Sequence, residues 1–510
     1  MILDTTSVDR DVTLSTDVCV VGSGAGGAVA AKELAGAGRS VVVVEAGGYH
    51  TSRDFTQREE QMYPRLYGDA GVQATTESTA WIAQGRALGG STVTSLCVCA
   101  RPPRAVLEHW RDGLAIPGVG PDDMVRYYRQ VEDALQVSQL SPEQVNKNNQ
   151  LLQAGAERLG YHSVRIAHNR VDCLGCGYCA LGCAYDRKTD ALTTHLRLAS
   201  QQGAIIVPDC RVEAITTAHG RVSGVSATFG RTARVPAVLT VQAKVVVLAA
   251  GAIGSPHLWL RSGLPNTQRQ VGRALHLHPQ VVMAGVFAEE VAAWRGIPQS
   301  IVIDEFFQQN GAAGGGFLIT PLAVHPLALA TLLPGFGAAH RQLLELYPRL
   351  GLAAVMLHDR SSGNVELDNS GGATVNYQLS DEDRAALAEG MRRLADVYCA
   401  AGAERVILPF TELVEITRRG DYRPIDDHPV RANDPLLLSF HPQGSLRMGT
   451  EPRRSVVNQL GEAHEIRGLF VADASVFPTA IGVPPQLTVA AFACRTAQHI
   501  ANHWPTVSKS

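Results

Sequence analysis

The segment Asp17-Val18-Cys19-Val20-Val21, the turn Gly22-Ser23-Gly24-Ala25-Gly26-Gly27 and an alanine-rich stretch to Ala37 restrict this chain more than any other feature. A short β-branched run ahead of glycine reads as a buried strand. The alanine run reads as a helix from about Ala28 to Ala37, closed by Gly38. A second strand, Ser40 to Val44, then leads into Glu45. Strand, turn, helix and strand make a βαβ unit with G-x-G-x-x-G at its first turn. Gly22 permits the tight turn, Gly24 lets backbone approach a pyrophosphate, and Gly27 lets the helix sit close to the strand. The helix N-terminus offers free N–H groups and a positive dipole end to phosphate, and Ala25 and Gly26 ahead of it are expected at the cofactor. Glu45 is placed to accept hydrogen bonds from a ribose hydroxyl. The fingerprint specifies a dinucleotide and leaves FAD and NAD open, while the acid disfavours NADP.

At 510 residues the chain exceeds one compact core, so two or more domains are expected. Its 45 basic and 48 acidic side chains leave a formal charge of -3. No basic footprint for nucleic acid follows from that balance. The N-terminal stretch lacks the basic and apolar regions of a secretory signal. No apolar run of about 18 residues occurs, so no membrane span is expected. These features point to a cytoplasmic protein. Six of the ten cysteines (Cys19, Cys97, Cys99, Cys210, Cys399 and Cys494) are scattered among apolar neighbours and read as small core residues.

Further segments resemble the glucose–methanol–choline (GMC) oxidoreductases, a family of FAD-dependent alcohol oxidoreductases. Gly85-Arg86-Ala87-Leu88-Gly89-Gly90-Ser91-Thr92 is similar to the loop that lies along the flavin. Val271-Gly272-Arg273 with His276 and His278-Pro279 resembles a central family segment. Leu248 to Pro256 resembles the second signature. His441-Pro442-Gln443-Gly444 and Ala472-Asp473-Ala474-Ser475 resemble the segments with the catalytic histidine and a flavin-contacting acid. The resemblance implies an α/β FAD-binding Rossmann-like domain joined to an α+β substrate domain built on an antiparallel sheet. The expected FAD-binding segments are 12–105, 190–290 and 440–505. The expected substrate-binding or cap segments are 106–189 and 291–439. By resemblance, Gly22, Gly24, Gly27 and Glu45 hold the ADP half of FAD. Gly89, Gly90 and Ser91 face the flavin, and Val212 lies beside the adenine. Asp473 and Ala474 sit near the pyrophosphate or ribityl chain, and Pro485 to Thr488 open the last helix toward the flavin edge. A helix dipole there would stabilise the charge of a reduced ring.

Alcohol oxidation needs a base for the hydroxyl proton, and a histidine titrating near neutrality suits that task. His441 is the candidate, whereas His276 and His278 read as structural, and His464 and His499 as solvated. The family places a second His or Asn later, just before a proline. In Gly482-Val483-Pro484-Pro485-Gln486 that position is Pro484, which has no side-chain donor or acceptor and no N–H. Gln486 is the nearest residue with an amide to offer. The loss leaves open a flavin-dependent isomerase or lyase without net redox.

Cys173-x2-Cys176-x2-Cys179-x3-Cys183 has the spacing of bacterial ferredoxin loops, without their final proline. The same thiolates suit zinc. An iron–sulfur cluster is preferred over unliganded cysteines, with zinc third, and a cluster would pass electrons to a carrier protein. The leading expectation is an FAD-dependent oxidoreductase that removes hydride from an alcohol-type small molecule. The apolar stretch from Pro321 to Gly337, with no acid between Phe306 and Leu344, favours a hydrophobic substrate; plain core is the competing reading.

Overall fold

The computed structural model describes residues 1–3, 5, 8, 10–230, 237–307 and 314–509. Residues 231–236 and 308–313 fall inside the expected FAD-binding and cap segments and lie outside the described residues.

Two sheets carry the molecule. The first runs Ile205–Val207, Val41–Val44, Val12–Val21, Val238–Leu248, Arg221–Phe229 and Cys210–Ala218, with Leu469–Val471 also paired to Val238–Leu248. Its pairings are parallel on one side, from Ile205–Val207 through Val238–Leu248, and at Leu469–Val471. They become antiparallel across Arg221–Phe229 and Cys210–Ala218. Continuous β-branched runs suit parallel strands buried on both faces, and all four valines of Val41–Val44 are buried. Helices Ala25–Gly36 and Gln486–Asn502 pack together over this sheet. Small side chains on the first helix (Ala28, Ala30, Ala31) allow that approach, and all three are fully buried.

The second sheet has ten strands and is mainly antiparallel, with Gln280–Val286, Leu350–Leu357 and Phe317–Pro321 adjacent at its centre. Gln73–Ala74, Ala80–Ile82 and Gln280–Val286, grouped with the FAD-binding segments by sequence, pair in this sheet. Helix Asp381–Ala401 covers one face of it. Ser380 caps this helix by accepting the Asp383 N–H, acids fill the first turn, and Gly402 closes it in left-handed conformation. Among the described residues no helix is long and apolar enough to cross a membrane.

Candidate active site

The first turn is built as the fingerprint requires. Gly22 has φ +95°, and a Cβ there would lie 2.3 Å from the Ala249 carbonyl oxygen. A Cβ on Gly27 would lie 2.0 Å from the Gly22 carbonyl oxygen, so the helix could not seat against the strand. Gly24, by contrast, faces open space, with Gly90 Cα as its nearest neighbour at 3.9 Å. Ser23 ties the pieces together. Its N–H and hydroxyl donate to Glu45 Oε2 at 2.9 and 2.7 Å, and its Oγ accepts the Gly89 N–H at 2.9 Å. Glu45 Oε1 accepts the Gly47 N–H at 2.7 Å. Burial pushes the Glu45 carboxyl up, against these donors.

One cavity of about 1100 Å³ runs past this turn and between the two sheets. Gly22, Gly24, Ala25, Gly26, Glu45, Gly90, Ser91, Val212, Asp473, Ala474, Pro485, Gln486 and His441 all line it. Three expected cofactor residues do not. Gly27 acts in helix packing. Gly89 stands behind the wall, bonded to Ser23. Thr488 is fully buried, and its Oγ1 accepts the Tyr128 hydroxyl at 3.3 Å. Asp473 lines the cavity but has both oxygens engaged. Oδ2 accepts from Gly251 N and Ser255 Oγ at 2.8 and 2.5 Å, and Oδ1 from Ser475. It therefore also fastens helix Gly251–Arg261 to the strand ending at Val471.

The lining fits FAD. No side chain caps helix Ala25–Gly36 at Gly24 or helix Gln486–Asn502 at Pro485, so both starts leave N–H groups for an anion. Glu45, bonded to Ser23 of the turn, and Val212 line the same cavity, where they would take an adenosine.

His441 follows the strand Leu437–Ser439. Its Nδ1 is buried without a partner, which leaves Nε2 for the open space. Burial pushes its pKa down to about 4, so the ring is neutral at neutral pH and can take a proton. The His278 ring meets it edge-on at 5.5 Å. His278 Nε2 accepts the Gly482 N–H at 2.9 Å, with the Gln443 amide at 3.0 Å. Asp359 anchors this corner by accepting the Leu277 and His278 N–H groups and the Tyr377 hydroxyl, with His276 Nδ1 at 3.7 Å. Burial opposes its charge, yet His276 and these donors prevail and hold the carboxyl below its ordinary range. His276 and His278 are structural in this arrangement. His464 and His499, expected to be solvated, are half-buried, and His464 Nε2 bonds Ser455 at 2.9 Å.

Pro484 lines the cavity, so no side-chain donor arises there. Gln486 is held sideways, its amide nitrogen 3.2 Å from Asn169 Oδ1 and 3.8 Å from Cys99 Sγ, while its Oε1 is buried without a partner. The apolar stretch is not plain core: Ala323, Val324, Leu327, Ala328, Thr331 and Leu332 line the cavity.

The described side chains give the four-cysteine expectation no support. Among the described residues no three His, Cys, Asp or Glu side chains are grouped to hold a metal ion. The buried Arg170 guanidinium stands 3.7 Å from Cys173 Sγ and 3.8 Å from Cys179 Sγ. Cys183 Sγ instead accepts the Arg187 N–H at 3.3 Å. The loop serves the cavity mouth structurally. Tyr178 stacks on His325 at 4.2 Å, and Ala180 accepts the Tyr67 hydroxyl.

Sequence reasoning passed over Ser23, Glu59 and Gln280. Ser23 lay inside the fingerprint as an unconstrained position. Glu59 accepts the Leu327 and Ala328 N–H groups at 2.6 and 3.0 Å, a contact across 268 positions that no local pattern carries. Gln280 had a signal, being the polar residue at the head of the apolar strand Gln280–Val286.

The family models of the GMC oxidoreductases match residues 63–280 and 359–493, and an NAD(P)-binding Rossmann-like domain matches residues 20–72. A GMC-type oxidoreductase of Mycobacterium tuberculosis is 34% identical over 504 residues, covering 96% of this chain and 76% of that protein. The long-chain-alcohol oxidase FAO4A of Arabidopsis thaliana is 30% identical over 512 residues, covering 95% of this chain and 68% of that protein. Among solved structures, pyridoxine 4-oxidase from Mesorbium loti superposes with TM-score 0.72 at 20% identity, over 96% of this chain and 99% of that one. At that identity the likeness speaks for the fold.

Proposed function

This chain belongs to the GMC oxidoreductase family and is an FAD-dependent oxidoreductase acting on CH–OH groups; from that premise we propose that it oxidises a hydrophobic alcohol with His441 as the base. The observation that carries the proposal is the position of His441. A neutral, partly open histidine shares one cavity with the glycine turn and with an apolar wall from Ala323 to Leu332.

Bound FAD supplies a two-electron acceptor for the carbinol hydrogen. The chain's own groups do the rest. The uncapped helix starts at Ala25 and Gln486, with Gly24 and Gly90, hold the cofactor's anionic parts. Glu45 and Val212 take its adenosine end, Asp473 stands in the wall, and Gly89 and Thr488 brace that wall from behind. The side chains of Leu327, Ala328 and Leu332 exclude water from an alkyl chain. His441 Nε2 accepts the hydroxyl proton as the carbon is oxidised, while the Gln486 amide stays turned to Asn169 at the helix start. The apolar wall and the resemblance to a long-chain-alcohol oxidase both support a hydrophobic substrate.

His441→Ala is expected to lower turnover by about 10² to 10⁴-fold while the flavin absorbance is retained. Unchanged turnover would remove His441 from the mechanism. Pro484 in the cavity wall supports a second reading, an isomerase or lyase without net redox, which predicts product with no lasting loss of flavin absorbance.

A further inference from the structure

An alcohol oxygen that loses its proton and becomes a carbonyl needs a donor to hold it in line with the base. Pro484 offers none. The Gln486 amide nitrogen is committed to Asn169 and Cys99. The donor must therefore come from another wall of the cavity.

The second sheet forms that wall. Gln280 pairs with Leu438 on one side and Met356 on the other, and Leu438 pairs in turn with Trp81. Paired residues on adjacent strands share a face, and all four line the cavity. Gln280 is the one polar side chain in this row of Trp81, Leu438, Gln280 and Met356. It is only 4% exposed, and its amide makes no hydrogen bond to the described residues. An amide that lines the cavity without a partner among the described residues is free to donate to a ligand there. Its neighbours set its place. Leu438 lies three positions before His441. Two positions before Gln280, His278 meets both the His441 ring and the Gly482 N–H, beside the loop to Pro484.

Gln84 is also amide-bearing and lines the cavity, but its Nε2 lies 3.4 Å from where a Cβ of Gly251 would be, at the start of helix Gly251–Arg261. Thr320 is two strands away from Gln280, opposite Ala354. Neither shares the strand register that leads to His441.

We infer that Gln280 binds the substrate oxygen, its NH₂ donating the hydrogen bond that the side chain at position 484 cannot. The inference rests on the proposed alcohol oxidation. The substrate O–H proton goes to His441, the carbinol hydrogen leaves with its electron pair to the bound cofactor, and the oxygen stays on the Gln280 amide throughout. The site thus reads a hydroxyl at the end of an apolar chain.

The test uses the FAD-loaded protein, 1-dodecanol as substrate and 2-methyl-2-dodecanol, which has no carbinol hydrogen, as an inert ligand. Gln280→Leu removes the donor at nearly constant shape. It is expected to lower kcat/KM for 1-dodecanol by about 10 to 100-fold. Binding of the tertiary alcohol, read from the shift it causes in the flavin spectrum, should weaken by a similar factor. The melting temperature should hold, because the exchange breaks no hydrogen bond to the described residues. Gln280→Glu, which carries no donor when ionised, should share the defect at neutral pH. A protein that oxidises 1-dodecanol equally well with leucine at 280, or that loses activity only in step with a lower melting temperature, overturns the inference and leaves alcohol oxidation standing. FAD-loaded wild-type protein that no alcohol reduces overturns both.

Discussion

Burial rather than a charged partner sets the titration of His441, and this has a measurable sign. Its folded pKa lies near 4, below the ordinary 6.5, so the neutral ring persists down to mildly acidic pH. Activity that needs this base should rise as pH climbs through about 4 and then stay flat to neutrality. A limb near 6.5 in kcat/KM would show a solvated histidine instead. The same shift weakens the fold in acid. Between 6.5 and 4 the unfolded chain binds a proton that the folded ring refuses, so stability falls as pH drops through that window. His195, also pushed down to about 4 by burial, acts in the same direction. Each contributes on the order of 3 kcal/mol by pH 4, which urea titrations at pH 7 and 4.5 would register as a lower midpoint in acid.

The elements around the site differ in how openly the sequence displays them. The βαβ unit was legible because its cause is local: apolar runs, alanines and the glycine turn all lie within thirty-odd positions. The structure doubles the first strand, to Val12–Val21, and moves the other edges by three residues or fewer, to helix Ala25–Gly36 and strand Val41–Val44. Helix Asp381–Ala401 carries equally local signals, acids in its first turn and a Ser380 cap. The cysteine loop is less legible, because spacing reports only what the loop itself holds. Arg170, Cys97 and Lys188 decide its chemistry, and only the fold brings Cys97 there: its thiol bonds Cys179, while Lys188 Nζ donates to the Cys179 carbonyl at 2.9 Å. The short helix Pro326–Leu332 is a further non-local case. No side chain of its own caps it, and Glu59, half-way along the chain from it, does so. Glu59→Ala should cost this helix about 1 kcal/mol, the usual worth of a cap. Hydrogen exchange at Leu329 to Leu332 should then quicken several-fold, with the flavin spectrum unchanged. Unaltered exchange would show that packing of Leu329 alone holds the helix.

At the scale of the whole molecule, function comes from the meeting of two sheets. The parallel sheet supplies a turn that receives the dinucleotide, and the antiparallel sheet supplies an apolar face carrying Gln280. The segments 276–280 and 438–443 run between them, bridged at His276 and Gln443, and this seam delivers His441. Motifs showed which residues belong to the seam; the register that sets Gln280 beside it depends on pairings across more than 150 positions and could not be read from either strand alone. Net oxidation of a hydroxyl at that seam is the central claim. The direct measurement is anaerobic titration of the FAD-loaded protein with 1-dodecanol, followed at the flavin absorbance near 450 nm. One equivalent should bleach the flavin and yield one equivalent of aldehyde, with the colour returning only when an electron acceptor is admitted. Product formed while the absorbance stays intact, or no response to any alcohol, would contradict the account.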